Sequence, residues 1–367
     1  MKLRNCSVEE FARKTENKKI ACFGAYIMPY SLCNEFEKFR FEDRIVLFAD
    51  NDKKKQGKQF DLKGKKIEIV SADEFAKRVT PEMVILITSD YFAAIIEQLD
   101  AYPKLAETEC YIYPFMKYDI EHREKIEVRH TKEMQIPKVI HYFWFGENKR
   151  SDLEEHCIAS WRKFCPDYEI IEWNESNYDI TKNRFMREAY EAKKYGFVTD
   201  CARLDVVNRY GGLYFDTDVE LIKNIDDLLY NEAFFALGFY GRVSSGLGFG
   251  SRAGHPVLKR LLEEYETFSF LNEDGSMNMT TNTMHEEPVF REYGIRQKNE
   301  LQRVKDLTVF PYDCMAPMIP GFVKYKLSCN TVSIHHNHLS WGTAKQQEEI
   351  KKSVAEYDRI LERFLKD

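Results

Sequence analysis

The sequence has no run of about 18 or more apolar residues, so it offers no segment able to span a bilayer as a helix. Its first residues, MKLRNCSVEEFARKTENKK, become charged at once and lack the apolar core of a secretory signal, which predicts a cytoplasmic protein. A strong basic excess is missing as well. The 54 Lys and Arg against 60 Asp and Glu leave a net charge of −6, a poor match for nucleic acid. The cysteines, nine in all, include no CxxC pair, and an odd number cannot all pair within one chain; they read as reduced thiols. Internal repeats and low-complexity tracts are also absent.

What is present is an ordinary globular composition, 44% hydrophobic and 31% charged, over 367 residues, which is long enough for two domains. The first segment alternates apolar runs with amphipathic ones. Lys19–Gly24, Arg44–Asp52, Lys65–Val70, Glu82–Ser89 and Glu109–Phe115 predict strands. Ser71–Val79, opened by the capping box Ser71/Glu74, and Tyr91–Leu99 predict helices. The alternation implies a parallel sheet with helical crossovers. The turn after the first of these strands, GAYIMPYS, has one glycine where a dinucleotide fingerprint needs three. Asp50 and Asp52 end a strand, but they also suit a turn. Residues 117–135 are polar and highly charged, so a boundary is expected near residue 130. The domains predicted are 1–130, 131–345 and a terminal amphipathic helix, 346–367, packed on the second domain. Peripheral membrane contact is the alternative use of that helix.

The most informative stretch is Val198–Leu229. A helix is expected from Asp200 to Tyr210, ended by Gly211-Gly212 as a left-handed cap and tight turn. The apolar strand LYF then runs into Asp216-Thr217-Asp218. Strand alternation puts the two carboxylates on one face, and a bend there still lets them converge on one cation. Charges this close need a proton, a basic group or a divalent metal to offset their repulsion. Carboxylate oxygens suit Mg²⁺ or Mn²⁺, and such an ion keeps positions for phosphate oxygens. That is the arrangement that holds a diphosphate leaving group.

A lone DxD is weak, but the full pattern is long: Asp200, Arg203, Val207, Gly211, Gly212, Tyr214, Asp216 and Asp218. It resembles the sugar-binding DXD region of glycosyltransferase family 32, and it is similar to the catalytic domain of the large clostridial glucosylating toxins. The resemblance covers roughly residues 136–343. It implies a GT-A fold, an α/β nucleotide-binding sheet with the metal at a strand end, and transfer with retention of configuration. It implies Asp218 as the direct metal ligand, Asp216 as a ligand or a sugar/ribose contact, Asp200 and Arg203 as contacts to donor hydroxyls and diphosphate, and Tyr214 as an aromatic against the donor. Pro137, His141 and Trp144 match the family's opening strand, which implies His141 and Trp144 as contacts to the nucleotide-sugar, the tryptophan stacking on the base. The first segment loosely resembles small Rossmann-like modules that accompany some sugar-modifying enzymes.

A third stretch, Thr331–Thr343, supplies further ligand candidates. A β-branched strand leads into His335, His336, Asn337 and His338, and a neutral imidazole can complete a Mn²⁺ shell. The family pattern I-H-H-x-x-x-S-W is matched by Ile334, His335, His336, Ser340 and Trp341. His335 is favoured as third ligand, because it directly follows the strand isoleucine. His336 is close behind, since alternation would point the two to opposite faces. Ser340 and Trp341 are expected along the diphosphate, and His338 falls outside the pattern. The glycine-rich Gly246–Pro256 is not a P-loop and matches a family stretch expected on the acceptor side. Glu287 stands where the family often has glycine; Glu286 or Glu287 offers a catalytic carboxylate, with solvated surface charge the favoured reading.

The function expected is thus transfer of a hexose from a nucleotide-sugar, with UDP favoured by the toxin resemblance, to a glycan or lipid-linked saccharide in capsular or surface polysaccharide synthesis. With no nucleophilic carboxylate at the motif positions, the resemblance favours front-face attack, the leaving phosphate taking the proton. Two rivals stand beside this. One is a haloacid-dehalogenase-like phosphohydrolase with Asp216 as nucleophile and Asp218 as acid/base, although that fold wants its motif on the first strand. The other is a non-catalytic module that binds a sugar nucleotide.

Overall fold

The computed structural model describes residues 1–117, 124–317 and 326–337, with positions 348, 352, 355–356 and 359–364. The chain forms two compact units. Unit 1 comprises Met1–His122 with Ile319–Lys326 and Thr343–Asp367, and unit 2 comprises Arg123–Met318 with Leu327–Gly342. The division falls ahead of the expected residue 130 because the polar stretch beyond it is bonded into unit 2. Ile126 N–H donates to Asn330 Oδ1 at 3.0 Å, His130 N–H donates to Tyr230 O at 3.0 Å, and Arg129 pairs with Asp227 at 2.6 Å. The C-terminal segment differs from expectation too, since it groups with unit 1 and not with unit 2. Ile360 is buried, the Phe364 ring lies 5.3 Å from that of Phe115, and Arg363 bonds Asp100 at 2.6 Å.

Unit 1 holds strands β1 (Lys2–Arg4), β2 (Lys19–Phe23), β3 (Ile45–Ala49), β4 (Gln59–Leu62), β5 (Lys65–Val70), β6 (Met83–Ile87) and β7 (Glu109–Ile112). Their order is β1-β7-β6-β2-β3-β5-β4, and only β4–β5 is antiparallel. The apolar runs of β2, β3 and β6 are almost wholly buried, as strands of a sheet covered on both faces must be. Helix Ala72–Arg78 starts at Ser71, whose side chain accepts from Glu74 N at 3.3 Å. The short edge strands β1 and β4 lack an apolar run and were not expected. Gly24, at φ 112°, stands where an added Cβ would meet Thr88 O at 2.4 Å, so strand-end crowding demands glycine there. Asp50 Oδ2 accepts from Ala25 N at 3.0 Å and from Lys55 Nζ at 2.9 Å, which ties that carboxylate to the chain's own turn.

Unit 2 contains β8 (Val139–Phe143), β9 (Glu169–Trp173), β10 (Gly212–Tyr214), β11 (Val219–Leu221), β12 (Ala233–Ala236), β13 (Phe249–Ser251), β14 (Gln302–Val304), β15 (Leu307–Phe310) and β16 (Ser333–His335). A mixed seven-stranded sheet runs β14-β15-β12-β13-β10-β8-β9, and β11 pairs with β16 alone. The α/β class inferred from the sequence is the class observed. Helix Asp152–Phe164, opened by a Ser151/Glu154 capping box, holds β11 in place. Its fully buried Trp161 donates Nε1–H to Val219 O at 2.7 Å, and Ser160 Oγ accepts from Leu221 N at 2.9 Å. Trp161 belongs to a core with Ile140, Leu213, Phe215, Phe234 and Met315.

Candidate active site

Helix Tyr195–Tyr210 begins ahead of Asp200 and ends where the sequence indicated, at Gly211 with φ 69°, whose N–H returns to Val207 O at 2.8 Å. Gly212, at φ 104°, brings the chain so close to β8 that an added Cβ would sit 2.7 Å from Val139 O. The chain reverses, and β10 runs parallel to β8 with Leu213 opposite Ile140. Asp216 therefore follows a strand at the carboxyl end of a parallel pair, where open α/β sheets place their ligands. A turn closed by Val219 N–H to Asp216 O at 3.0 Å carries Asp218 into β11. Antiparallel pairing of β11 with β16 puts Val219 opposite His335. That register brings His335 Nε2 to 3.3 Å from Asp218 Oδ1.

The two histidines part company here. His336 N–H bonds Asp218 O at 3.0 Å, but its ring turns to the other face and lies 3.0 Å from Glu220, which also meets His156 at 3.1 Å. The expected inclusion of His336 with the carboxylate pair is corrected: strand alternation sends it away.

Arg203 is buried and joins the acidic groups. Its Nη2 donates to Asp200 Oδ1 at 2.5 Å, its Nη1 lies 3.5 Å from Asp216 Oδ2, and its Nε donates to Thr199 O at 2.9 Å. Tyr214 lies under the guanidinium, 5.0 Å from ring centre to Cζ, and donates its hydroxyl to Asp216 Oδ1 at 2.6 Å. Burial pushes the Asp200 carboxyl up to about 7 despite Arg203. Burial also raises Asp216; Arg203 opposes the rise and Asp218 adds to it. Burial alone would lower His335, but the Asp218 and Asp216 carboxylates overcome it and push the imidazole up to about 9. The cluster thus concentrates negative charge that a cation relieves.

The donor set fits a hard divalent ion. One oxygen from each of Asp216 and Asp218 and one nitrogen of His335 lie within 4.8 Å of one another. Asn337, held at φ 51°, places its Oδ1 2.8 Å from His335 Nδ1. Bonding to that carbonyl fixes the proton on Nδ1 and leaves Nε2 facing Asp218. A second trio with similar spacing, Glu232, His255 and Asp306, fails the same test. There His255 Nδ1 accepts from Val257 N–H at 3.2 Å, so Nε2 carries the proton and has no lone pair to give. Replacing Asn337 by Ala is expected to weaken Mn²⁺ affinity by roughly 10- to 100-fold, measured by titration calorimetry, with the fold retained.

Other expected residues are placed differently. His141 is fully buried. Its Nε2 bonds Gly211 O at 2.9 Å and its Nδ1 accepts from Trp173 Nε1 at 3.1 Å. With both ring nitrogens used, it pins the glycine turn and cannot touch a donor, which corrects its expected role. Trp144 follows β8 half-buried, with Nε1 bonded to Asn148 O at 2.8 Å and Arg150 5.9 Å from its ring. Ser340, Trp341 and His338 lie outside the described residues.

Glu286 is not solvated. It is 1% exposed on helix Asn282–Glu292, and its Oε1 accepts from Ser245 Oγ at 2.6 Å. Asn282 Nδ2 reaches the same hydroxyl at 3.1 Å. Together they fix the Ser245–Leu247 turn against the acids. A Cβ on Gly246 would lie 2.8 Å from Asp216 Oδ2 and 3.0 Å from Arg203 Nη1. The sequence offered only the glycine-rich run as a pointer to this wall, and nothing marked Glu286 as buried.

Burial raises Glu286 from 4.5 to about 8; the bond from Ser245 and the charge of Arg203 pull it down, and Asp200 pushes it up. A carboxyl with a raised folded pKa binds protons more tightly in the folded state. Its contribution to stability is full below about pH 4.5 and is lost as pH rises through about 8. The melting temperature is expected to fall across that window. Glu286→Gln should flatten the slope, and Asp200, raised in the same direction, should leave a residual one.

Comparison with known proteins agrees with this geometry. Residues 151–235 match the family model described as a glycosyltransferase sugar-binding region containing DXD motif. Inositol phosphoceramide mannosyltransferase 3 of Schizosaccharomyces pombe is 26% identical over 152 residues, which are 39% of this chain and 41% of that protein. Mannosyl phosphorylinositol ceramide synthase SUR1 of Saccharomyces cerevisiae is 32% identical over 155 residues, 38% of each chain. The chain spans about two fifths of the length of these relatives. A solved structure, PaToxG Glycosyltransferase, overlaps 43% of this chain and 68% of its own at 15% identity with a TM-score of 0.36, too slight a likeness to bear on the fold. The class defined by fold and site is an α/β protein with acidic and basic groups gathered at a strand end. Residues 151–235 are similar to a glycosyltransferase sugar-binding region containing DXD motif.

Proposed function

We propose that this chain is a metal-dependent, retaining glycosyltransferase that moves a hexose from a nucleotide-sugar, with UDP as the favoured base, to a hydroxyl of a glycan or lipid-linked acceptor. The observation that carries the reading is the meeting of Asp216, Asp218 and His335 beside the Arg203–Asp200 pair. A Mn²⁺ or Mg²⁺ ion held by Asp216, Asp218 and His335 would neutralise charge on the departing diphosphate. Arg203 adds a fixed positive charge whose orientation Asp200, Thr199 and Tyr214 determine. Asp200, with its pKa near neutrality, is suited to bond a donor hydroxyl. The ring of Trp144 supplies a surface for the base. Glycine at 246 lets the turn pack directly against Asp216 and Arg203, where a side chain would clash.

The phosphohydrolase reading is disfavoured by the position of Asp216. It follows β10, behind β8 and β9 in the same unit, and its carboxylate is already bonded to Tyr214. The names of the two yeast relatives suggest mannose as a donor sugar and a phosphorylated lipid as acceptor class. A capsular or surface glycan made at the inner membrane face by a cytoplasmic enzyme remains part of the proposal. The test is a screen of purified protein against UDP- and GDP-sugars, with Mn²⁺ or with EDTA, following nucleoside-diphosphate release. Release from one donor that EDTA abolishes supports the reading. No turnover together with no Mn²⁺-dependent nucleotide-sugar binding overturns it.

A further inference from the structure

Helix Asn282–Glu292 presents two polar side chains, one turn apart, to a single hydroxyl. Asn282 Nδ2 donates to Ser245 Oγ at 3.1 Å, and that hydroxyl donates to Glu286 Oε1 at 2.6 Å. The Ser245 N–H lies 3.4 Å from the other carboxyl oxygen, Oε2. Glu287, the next residue, is engaged elsewhere, accepting from Arg291 at 3.2 Å and from Gln297 at 3.1 Å. Burying a carboxyl as deeply as Glu286 is costly unless hydrogen bonds compensate it. Here its hydrogen bonds go to one residue, Ser245, which is itself buried.

Ser245 opens the turn that carries Gly246, and Gly246 packs on Arg203 and Asp216 at once. The close approach is measured by the Cβ that glycine lacks, which would fall within 3.0 Å of both Asp216 Oδ2 and Arg203 Nη1. Those two atoms are 3.5 Å apart, longer than the roughly 2.7–2.9 Å of a full charge-assisted bond. Asp216 Oδ1 accepts from Tyr214 at 2.6 Å, so Arg203 and the turn both bear on the second oxygen. A full ion pair there would neutralise Asp216 and compete with a cation for it.

We propose that Glu286, acting through Ser245, is a positioning residue that holds Gly246 against Arg203 and Asp216, so that the pair stays apart and Asp216 remains open to a divalent cation. The inference rests on the cation site of the proposed function and adds to it a residue that works at one remove. Without the clamp the turn loosens, Arg203 closes on Asp216, and the cation is bound more weakly. Asn282 supports the clamp from the same helix face, since its amide orients the Ser245 hydroxyl toward Glu286.

The test is Mn²⁺ titration calorimetry on the full chain, with each variant measured well below its own melting temperature. Glu286→Ala and Ser245→Ala should each weaken Mn²⁺ binding about tenfold, and the double variant should lose no more than either single one. Glu286→Gln still offers Ser245 Oγ an acceptor and should stay within about twofold of wild type. Ser245→Ala leaves the carboxyl in place, so it decides the matter even where Glu286→Ala fails to fold. Wild-type affinity in the folded alanine variants, with only the melting temperature lowered, makes the clamp purely structural and overturns the inference. Equal loss in Glu286→Gln and Glu286→Ala assigns the effect to charge and overturns it as well. In either case wild-type Mn²⁺ binding stands and the transfer reading with it. If wild type binds no Mn²⁺, the cation site fails and the positioning role falls with it.

Discussion

Asp218→Ala is expected to cut donor turnover by about 10³-fold or more while leaving the melting temperature within a few degrees of wild type. The two halves of this expectation have separate causes. Loss of the carboxylate removes one member of the Asp216, Asp218 and His335 trio, in which the histidine turns Nε2 toward Asp218. On the proposed reading the charge on the departing diphosphate is then left to Arg203, and added Mn²⁺ should not restore the rate. For stability, two terms oppose each other. The variant loses the partner 3.3 Å from His335, yet it also relieves Asp216 of a like charge that raises its pKa. A purely structural role for Asp218 would show the reverse pattern, a lowered melting temperature with Mn²⁺-responsive activity. Turnover by product release and unfolding by calorimetry, run on the same preparation, distinguish the two.

The parts of this site that could be read from the sequence are those fixed by short-range geometry. The glycine cap after Tyr210, the apolar strand after it and the acid pair at its end all follow from residues adjacent in the chain. Period-2 alternation after the strand isoleucine accounts for the ring of His335, and not that of His336, lying beside Asp218, and pairing with β11 gives the register. Longer-range relations were not legible. His141 lies in a matched motif, yet Gly211 and Trp173 consume both its nitrogens, and only the folded sheet brings those three together. Glu286 has the sequence surroundings of a surface residue, in HEEP on a helix with mixed polarity. Its burial depends on Ser245, which sits 41 positions away. The terminal segment carries an amphipathic sequence pattern that specifies an apolar face but not which unit it joins.

Arg203→Met should damage stability and turnover together, and the two losses should separate on adding a second substitution. Arg203 is 3% exposed and holds Asp200 at 2.5 Å and Asp216 at 3.5 Å. Removing one partner of a buried ion pair leaves the other charged and desolvated, at a cost on the order of 3–5 kcal/mol. In a unit of this size that lowers the melting temperature by on the order of 10 °C. Asp200 can escape part of the penalty by taking up a proton, because its carboxyl already titrates at about 7. The loss should therefore be smaller at pH 6 than at pH 8, both taken as about those values on either side of that pKa. Adding Asp200→Asn removes the stranded charge and should recover much of the stability. Turnover should stay low in the double variant, since the fixed positive charge beside the leaving group is still missing. Recovery of both properties would mean that Arg203 serves only to neutralise Asp200. Recovery of the melting temperature alone locates its second task at the donor.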